Sequence, residues 1–248
     1  MADLHIHSAL SPCGSLEMSP KAIVESALKK ELNLIAVTDH NSYENAFYTG
    51  KIANKYGIQV LYGMEVQTSE EVHVLAFFDT FESLENFGKV IHEHLPDIPN
   101  NPEFFGDQVV VDENDEIVRF EEKLLINSVD FTIDEVVSLI KSYGGLSVLS
   151  HVNASHFSIV SQLGFVPQEV SVDALEITYD LRPEELEALN LPQKFPVITS
   201  SDSHYLADIG RGYTVFFMES PSIEEIKKAL TKSEGRDYMV FGKHGRIV

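Results

Sequence analysis

Imidazoles and carboxylates recur at six places in this sequence: His5-Ile6-His7, Asp39-His40, Glu65, His73, His151 and Asp202-Ser203-His204. Taken singly, each has an ordinary explanation, because lone histidines are commonly hydrogen-bonded structural groups and aspartate is frequent in turns for backbone reasons. Taken together, the eight side chains His5, His7, His40, Glu65, His73, His151, Asp202 and His204 exceed the about four to six donors that one small divalent cation takes. The set therefore implies two or three divalent ions, with a carboxylate such as Glu65 shared between two of them. Nitrogen and oxygen donors together suit Zn, Mn or Fe, whereas Mg alone prefers oxygen. A cluster of this kind lowers the pKa of a bound water, and it neutralises phosphoryl oxygens during in-line displacement. Metal-assisted hydrolysis is the expected chemistry.

The elements that must carry these residues are short apolar strands alternating with amphipathic helices. The runs 34–37, 60–62, 72–78, 146–149, 174–178, 197–199 and 213–217 read as buried strands. Helices are expected over 20–31, with Ser19 as N-cap and Pro20 in the first turn, over 45–56, stopped by Gly57, and over 132–143, stopped by Gly144-Gly145. Such alternation argues for an α/β fold on a parallel sheet, open or closed into a barrel. His5 and His7 flank Ile6 at the end of a first strand, so strand alternation turns both to one face. His40, Glu65, His151, Asp202 and His204 each follow a predicted strand, at the edge where ligands converge in such folds. His73 is the exception, early in its strand, and spacing does not fix whether it turns inward. The region 81–131 breaks the rhythm with Pro96, Pro99, Pro102 and the turn-like Asp112-Glu113-Asn114-Asp115. It reads as an insertion over one end of a single domain spanning 1–248.

Acidic residues outnumber basic ones 39 to 18, for a formal charge of −21. That balance disfavours long nucleic acid and favours a small phosphorylated substrate, a metabolite or a short (oligo)nucleotide. Lys29-Lys30 and Lys227-Lys228 read as solvated helix faces. Cys13 is the only cysteine, which precludes an internal disulfide and suits a reducing compartment. No secretory leader or membrane-length apolar run is read, so a cytoplasmic location is expected. Composition does not specify an oligomeric state.

At the residues already singled out, the sequence resembles the PHP (polymerase and histidinol phosphatase) family of metal-dependent phosphoesterases. The matching stretches are Asp3-Leu4-His5-Ile6-His7-Ser8, Thr38-Asp39-His40-Asn41, Gly63-Met64-Glu65, Val72-His73-Val74-Leu75, Ser150-His151 and Ser201-Asp202-Ser203-His204. The resemblance implies a distorted seven-stranded (β/α) TIM-like barrel of the PHP type. It further implies His5, His7, Glu65 and Asp202 on one ion, Glu65, His73 and His151 on a second, and His40 and His204 on a third. A metal-bridging hydroxide would attack phosphorus, with Glu65, Asp202 and His204 as catalytic residues and Asp39 supporting the ligand network.

Two departures stand out. The stretch Ser11-Pro12-Cys13-Gly14 lacks the Asp that relatives carry in Ser-Asp-Gly, so Cys13 either supplies a thiolate, favouring Zn, or leaves the third site weak. Asn153-Ala154-Ser155-His156 lacks the Arg that relatives place after the fourth-motif histidine, leaving Arg211 and His156 as candidate substrate contacts. Rival readings are an amidohydrolase-like C–N hydrolase and a non-catalytic metal-binding domain.

Overall fold

The computed structural model describes residues 1–248. Strands β1 (Ala2–Ile6) and β2 (Leu34–Val37) are buried along their whole length; β2 accordingly reads as a continuous apolar run, whereas β1 alternates apolar residues with the buried Asp3 and His5. They pair in parallel, and β3 (Gln59–Val60) extends the parallel set beyond β2. The helices Pro20–Lys29 and Glu44–Ala53 make the crossovers. Ser19 caps the first by accepting from the Ala22 N–H at 3.2 Å, and the second runs on into a 3-10 turn, Asn54–Tyr56, that Gly57 ends at φ 75°, a conformation glycine adopts without cost. On the other side of β1, strands β11 (Tyr213–Phe217), β12 (Asp237–Gly242) and β13 (Gly245–Arg246) run antiparallel and complete a sheet ordered β13-β12-β11-β1-β2-β3.

A second sheet holds β4 (Tyr62–Gln67), β5 (His73–Phe78), β8 (Leu146–Leu149), β9 (Ala174–Ile177) and β10 (Val197–Thr199), in the order β10-β9-β8-β5-β4. The expected seven-stranded closed barrel is therefore not what the strands form: they make two sheets of mixed direction. Part of the reason is covalent. The connection 68–72 between β4 and β5 is far shorter than the dozen or so residues a parallel crossover needs, so β5 runs antiparallel to β4 and to β8. The sheets approach through isolated bridges, His40 with Glu65 and Ile6 with Ser203. A buried cluster drawing on both sheets, including Leu4, Ala36, Leu75, Val148 and Ile198, fills the space between them.

The region 81–131 supplies the helix Phe81–Glu93 and a hairpin of β6 (Val109–Val111) and β7 (Ile117–Phe120). Leu84, Phe87, Ile91, Val110 and Leu125 join the larger core cluster. Two asparagines tie this region down. Asn41 Nδ2 donates to the carbonyls of Leu125 and Asn127 at 2.7 and 2.9 Å, and Asn45 donates to the Val109 carbonyl while accepting from the Val111 N–H. Ile126 reaches the rim of the cleft that holds the histidines.

Candidate metal centre

All eight side chains read from the sequence as metal ligands converge on one cleft, and Glu65 is its centre. Glu65 Oε1 lies 3.3 Å from His5 Nε2, 3.1 Å from His73 Nδ1 and 3.4 Å from His151 Nε2. Its other oxygen, Oε2, lies 3.4 Å from His7 Nε2 and 3.2 Å from His40 Nδ1. Asp202 Oδ1 closes the far side, 3.4 and 3.3 Å from the Nε2 atoms of His5 and His7. His204 Nδ1 stands 3.7 Å from the same oxygen.

The elements deliver these groups in two ways. His40, His151, Asp202 and His204 lie just past strands β2, β8 and β10. Asp202 and His151 take positive φ values of 48° and 26°, backbone strain that concentrates at functional sites. His73 reaches the cleft by the opposite route. Because β5 is antiparallel, its first residue lies at the edge where the parallel strands end, paired in register with Gln67. Gln67 Oε1 sits 3.0 Å from His73 Nε2 and leaves Nδ1 facing Glu65.

The spacing fits ions better than hydrogen bonds. His5 Nε2 and His7 Nε2 are 3.1 Å apart, and the Nδ1 atoms of His40 and His73 are buried without a hydrogen-bond partner. Two donors about 2.1 Å from a shared cation, at tetrahedral to octahedral angles, stand about 3.0–3.4 Å from each other, matching these separations. Ligand atoms of three triads fall within 4.8 Å of one another: His5-His7-Glu65, His40-Glu65-His73 and His7-Asp202-His204. A fourth such triad, His7-Cys13-His40, brings the thiol into the same constellation.

Protonation follows from burial set against charge. Burial disfavours the Glu65 carboxylate, but His73, His5 and His40 outweigh it and hold its pKa well below the usual carboxylate range. Asp202 is likewise depressed despite burial, chiefly by His5 and His7. Burial lowers His40 well below the ordinary imidazole value and takes His204 down to about 4, so both rings are neutral at pH 7, with lone pairs free. His5 goes the other way: burial opposes its charge, yet Glu176, Glu65 and Asp202 raise it well above the ordinary value.

Glu176 is the member that sequence reasoning missed. It is buried, and its Oε2 accepts from His5 Nδ1 at 2.8 Å, from the His151 N–H at 3.2 Å and from Ser150 Oγ at 3.3 Å. Its signal was present: a single carboxylate in the otherwise apolar run Ala174-Leu175-Glu176-Ile177. Asp39 does not face the cleft. It accepts from Ser8 N–H and Ser11 Oγ, both at 2.7 Å, and Ser11 Oγ in turn meets His7 Nδ1 at 3.1 Å. Arg211 donates to the carbonyls of Ser201 and Asp202 at 2.8 and 3.0 Å, pairs with Asp208 and stacks on Tyr179. His156 is exposed at the rim.

The PHP domain family matches residues 3–157, and a PHP-associated family matches residues 193–234. YqxK of Bacillus subtilis, an uncharacterised protein, is 22% identical over 95% of this chain. The lesion-specific endonuclease Q of Pyrococcus furiosus shares the fold at a TM-score of 0.70 and 21% identity over 96% of this chain. A protein of Bifidobacterium adolescentis assigned as a metal-dependent phosphoesterase superposes at 0.59 and 18% identity, covering 94% of this chain and 96% of that one. This chain spans 62% of the Bacillus protein and 57% of endonuclease Q. Endonuclease Q has also been solved with a 27-mer duplex carrying an abasic lesion at its active site. That complex overturns the partner expectation drawn from net charge, that long nucleic acid is disfavoured and the substrate small. A summed charge says nothing about the field inside a cleft whose carboxylates can be neutralised by cations. No helix is long and apolar enough to cross a membrane.

Proposed function

The chain belongs to the PHP domain family, and from that premise we propose that it is a metal-dependent phosphoesterase that hydrolyses phosphodiester bonds in nucleic acid. The observation that carries the reading is the Glu65 carboxylate, within 3.1–3.4 Å of nitrogens from five histidines. His5, His7, Glu65 and Asp202 would hold one ion, and Glu65, His73 and His151 a second. His40 and His204 would hold a third, with Cys13 within reach. Zn, Mn and Fe suit this donor set. Such ions, when bound, supply a water of lowered pKa and positive charge against the phosphoryl oxygens.

The protein's own groups orient that centre. Glu176 fixes the Nδ1–H tautomer of His5 and turns Nε2 toward Glu65. The Asp39–Ser11 pair does the same for His7. Arg211 spends its donors on the Ser201 and Asp202 carbonyls and Asp208, which suits holding the Asp202 turn better than clamping phosphate. His156, exposed on the rim, has its donors available to a substrate phosphate. The fold shared with endonuclease Q supports nucleic acid as the substrate class, and a reducing cytoplasm suits the free thiol of Cys13.

The test strips the protein of metal and reloads it separately with Mn, Zn and Fe. It is then assayed on single-stranded and duplex DNA oligonucleotides, intact and with an abasic site. Strand scission restored by metal and lost in Glu65→Ala and Asp202→Asn is the expected result. Stoichiometric metal with no scission of any oligonucleotide sinks the assignment.

A further inference from the structure

Phe157 carries more strain and more exposure than a packing role explains. Its φ is 53°, in the left-handed region that a non-glycine residue occupies at a cost of about 1–3 kcal/mol. It nonetheless leaves 41% of its surface exposed, so the strain is not offset by burying the ring. The surroundings hold the ring in one place. Its inner face lies parallel to His73, with centroids 5.0 Å apart and planes 2° from coplanar. Its carbonyl accepts from the His73 N–H at 2.9 Å. The next residue, Ser158, is buried and caps the following helix by accepting from Ser161 N–H at 3.0 Å. The ring lines the same cleft of about 380 Å³ as Glu65 and Asp202, separated from Glu65 by the width of His73. Ile126 and Ala154 add apolar surface beside it.

We infer that the outer face of Phe157 is a stacking platform for a nucleobase of the strand whose phosphate sits at the metal centre. A rigid, half-exposed aromatic face next to a site for phosphate matches the chemistry of single-strand recognition, in which aromatic side chains stack on bases irrespective of sequence. The inference rests on the nucleic-acid reading above and makes Phe157 a substrate-binding residue rather than a catalytic one. His73 backs the ring, so base stacking and ligand placement share one support.

Two arms test it. In the first, the manganese-loaded protein cleaves a single-stranded oligonucleotide and a series in which each nucleotide in turn is a tetrahydrofuran spacer lacking the base. At one position the spacer should lower kcat/KM by roughly 5- to 100-fold, the range expected for one stacked base. Phe157→Asn should lower cleavage of the intact strand to that level and leave the spacer substrate unaffected, while Phe157→Trp restores it. Asparagine tolerates the left-handed backbone, so this variant removes the ring without adding strain. Equal losses on both substrates, or no loss on either, overturn the inference.

The second arm needs no turnover. The chain contains no tryptophan, so Phe157→Trp introduces a unique fluorophore. In an Asp202→Asn background, with each strand of the spacer series titrated in turn, its emission should be quenched by the intact strand and not by the oligonucleotide with the spacer at one position. Identical responses to both strands overturn the platform. Quenching without wild-type strand scission would retain the platform and remove the phosphodiesterase assignment.

Discussion

Replacing Glu176 tests the ligand network at its buried support. Its Oε2 lies 2.8 Å from His5 Nδ1, with both side chains almost fully buried. The pair fixes the His5 tautomer and makes Nε2 a stronger donor, and loss of such a partner weakens metal binding by about 10- to 100-fold, or roughly 1.4–2.7 kcal/mol. Glu176→Gln keeps an acceptor oxygen for the Nδ1–H but deletes the charge, so it should fall at the tenfold end. Glu176→Ala removes the acceptor as well, stranding His5 Nδ1 and the His151 N–H, while Ser150 Oγ keeps its bond to Glu65 Oε1 at 2.8 Å. It should approach the hundredfold end and cost about 1–3 kcal/mol of folding stability besides. Titration of the metal-free proteins against a chelator of known affinity gives the dissociation constants, and thermal unfolding reports stability. Dissociation constants within twofold of wild type for both variants would refute the reasoning.

Three further outcomes are expected. At a hundredfold excess over its dissociation constant, one bound ion should add about 2.7 kcal/mol, raising Tm by roughly 5–10 °C for a chain of this size; an unchanged melting curve on adding Mn or Zn speaks against the site. Glu121, although opposed by burial, is held down to about 2 by His92, the Lys123 N–H and Arg119. Its folded pKa lies below the unfolded one, so its contribution is complete above about pH 4.5 and is lost as pH falls toward 2. Glu121→Gln should therefore cost about 1–2 kcal/mol at pH 7 and flatten the acid limb of stability measured by urea unfolding. Asn41→Ala leaves the Leu125 and Asn127 carbonyls without their donor and puts alanine at φ 46°. A loss of about 2–4 kcal/mol is expected, and a wild-type urea midpoint would contradict the anchoring role.

Much of the candidate metal centre was legible because its pieces are local. His-x-His, Thr-Asp-His and Asp-x-His each fix spacing within a few residues of a strand end, and a strand end sets a direction in space. The apolar runs that became β2, β8, β9 and β10 were equally plain, since strands buried on both faces are predominantly apolar. Net charge was a poor guide to partners because it is a sum, while binding responds to the field within one cleft.

What the sequence by itself determined is therefore the identity of the donors and the short segments that carry them. Tertiary structure decided how those segments meet. Strand direction is a property of pairing, so only the antiparallel placement of β5 carries His73 to the edge where His40 and His151 arrive. Sheet closure depends on hydrogen bonds between residues far apart in the chain, and here two sheets approach through single bridges. Glu176 acquired its role from a neighbour 171 positions away, a separation that no local pattern encodes. Arg211, a plausible phosphate clamp by position, has its donors engaged by carbonyls and a carboxylate that only folding brings to it. Residue type sets what a side chain can do, and the packing around it decides which of its atoms remain free to do it.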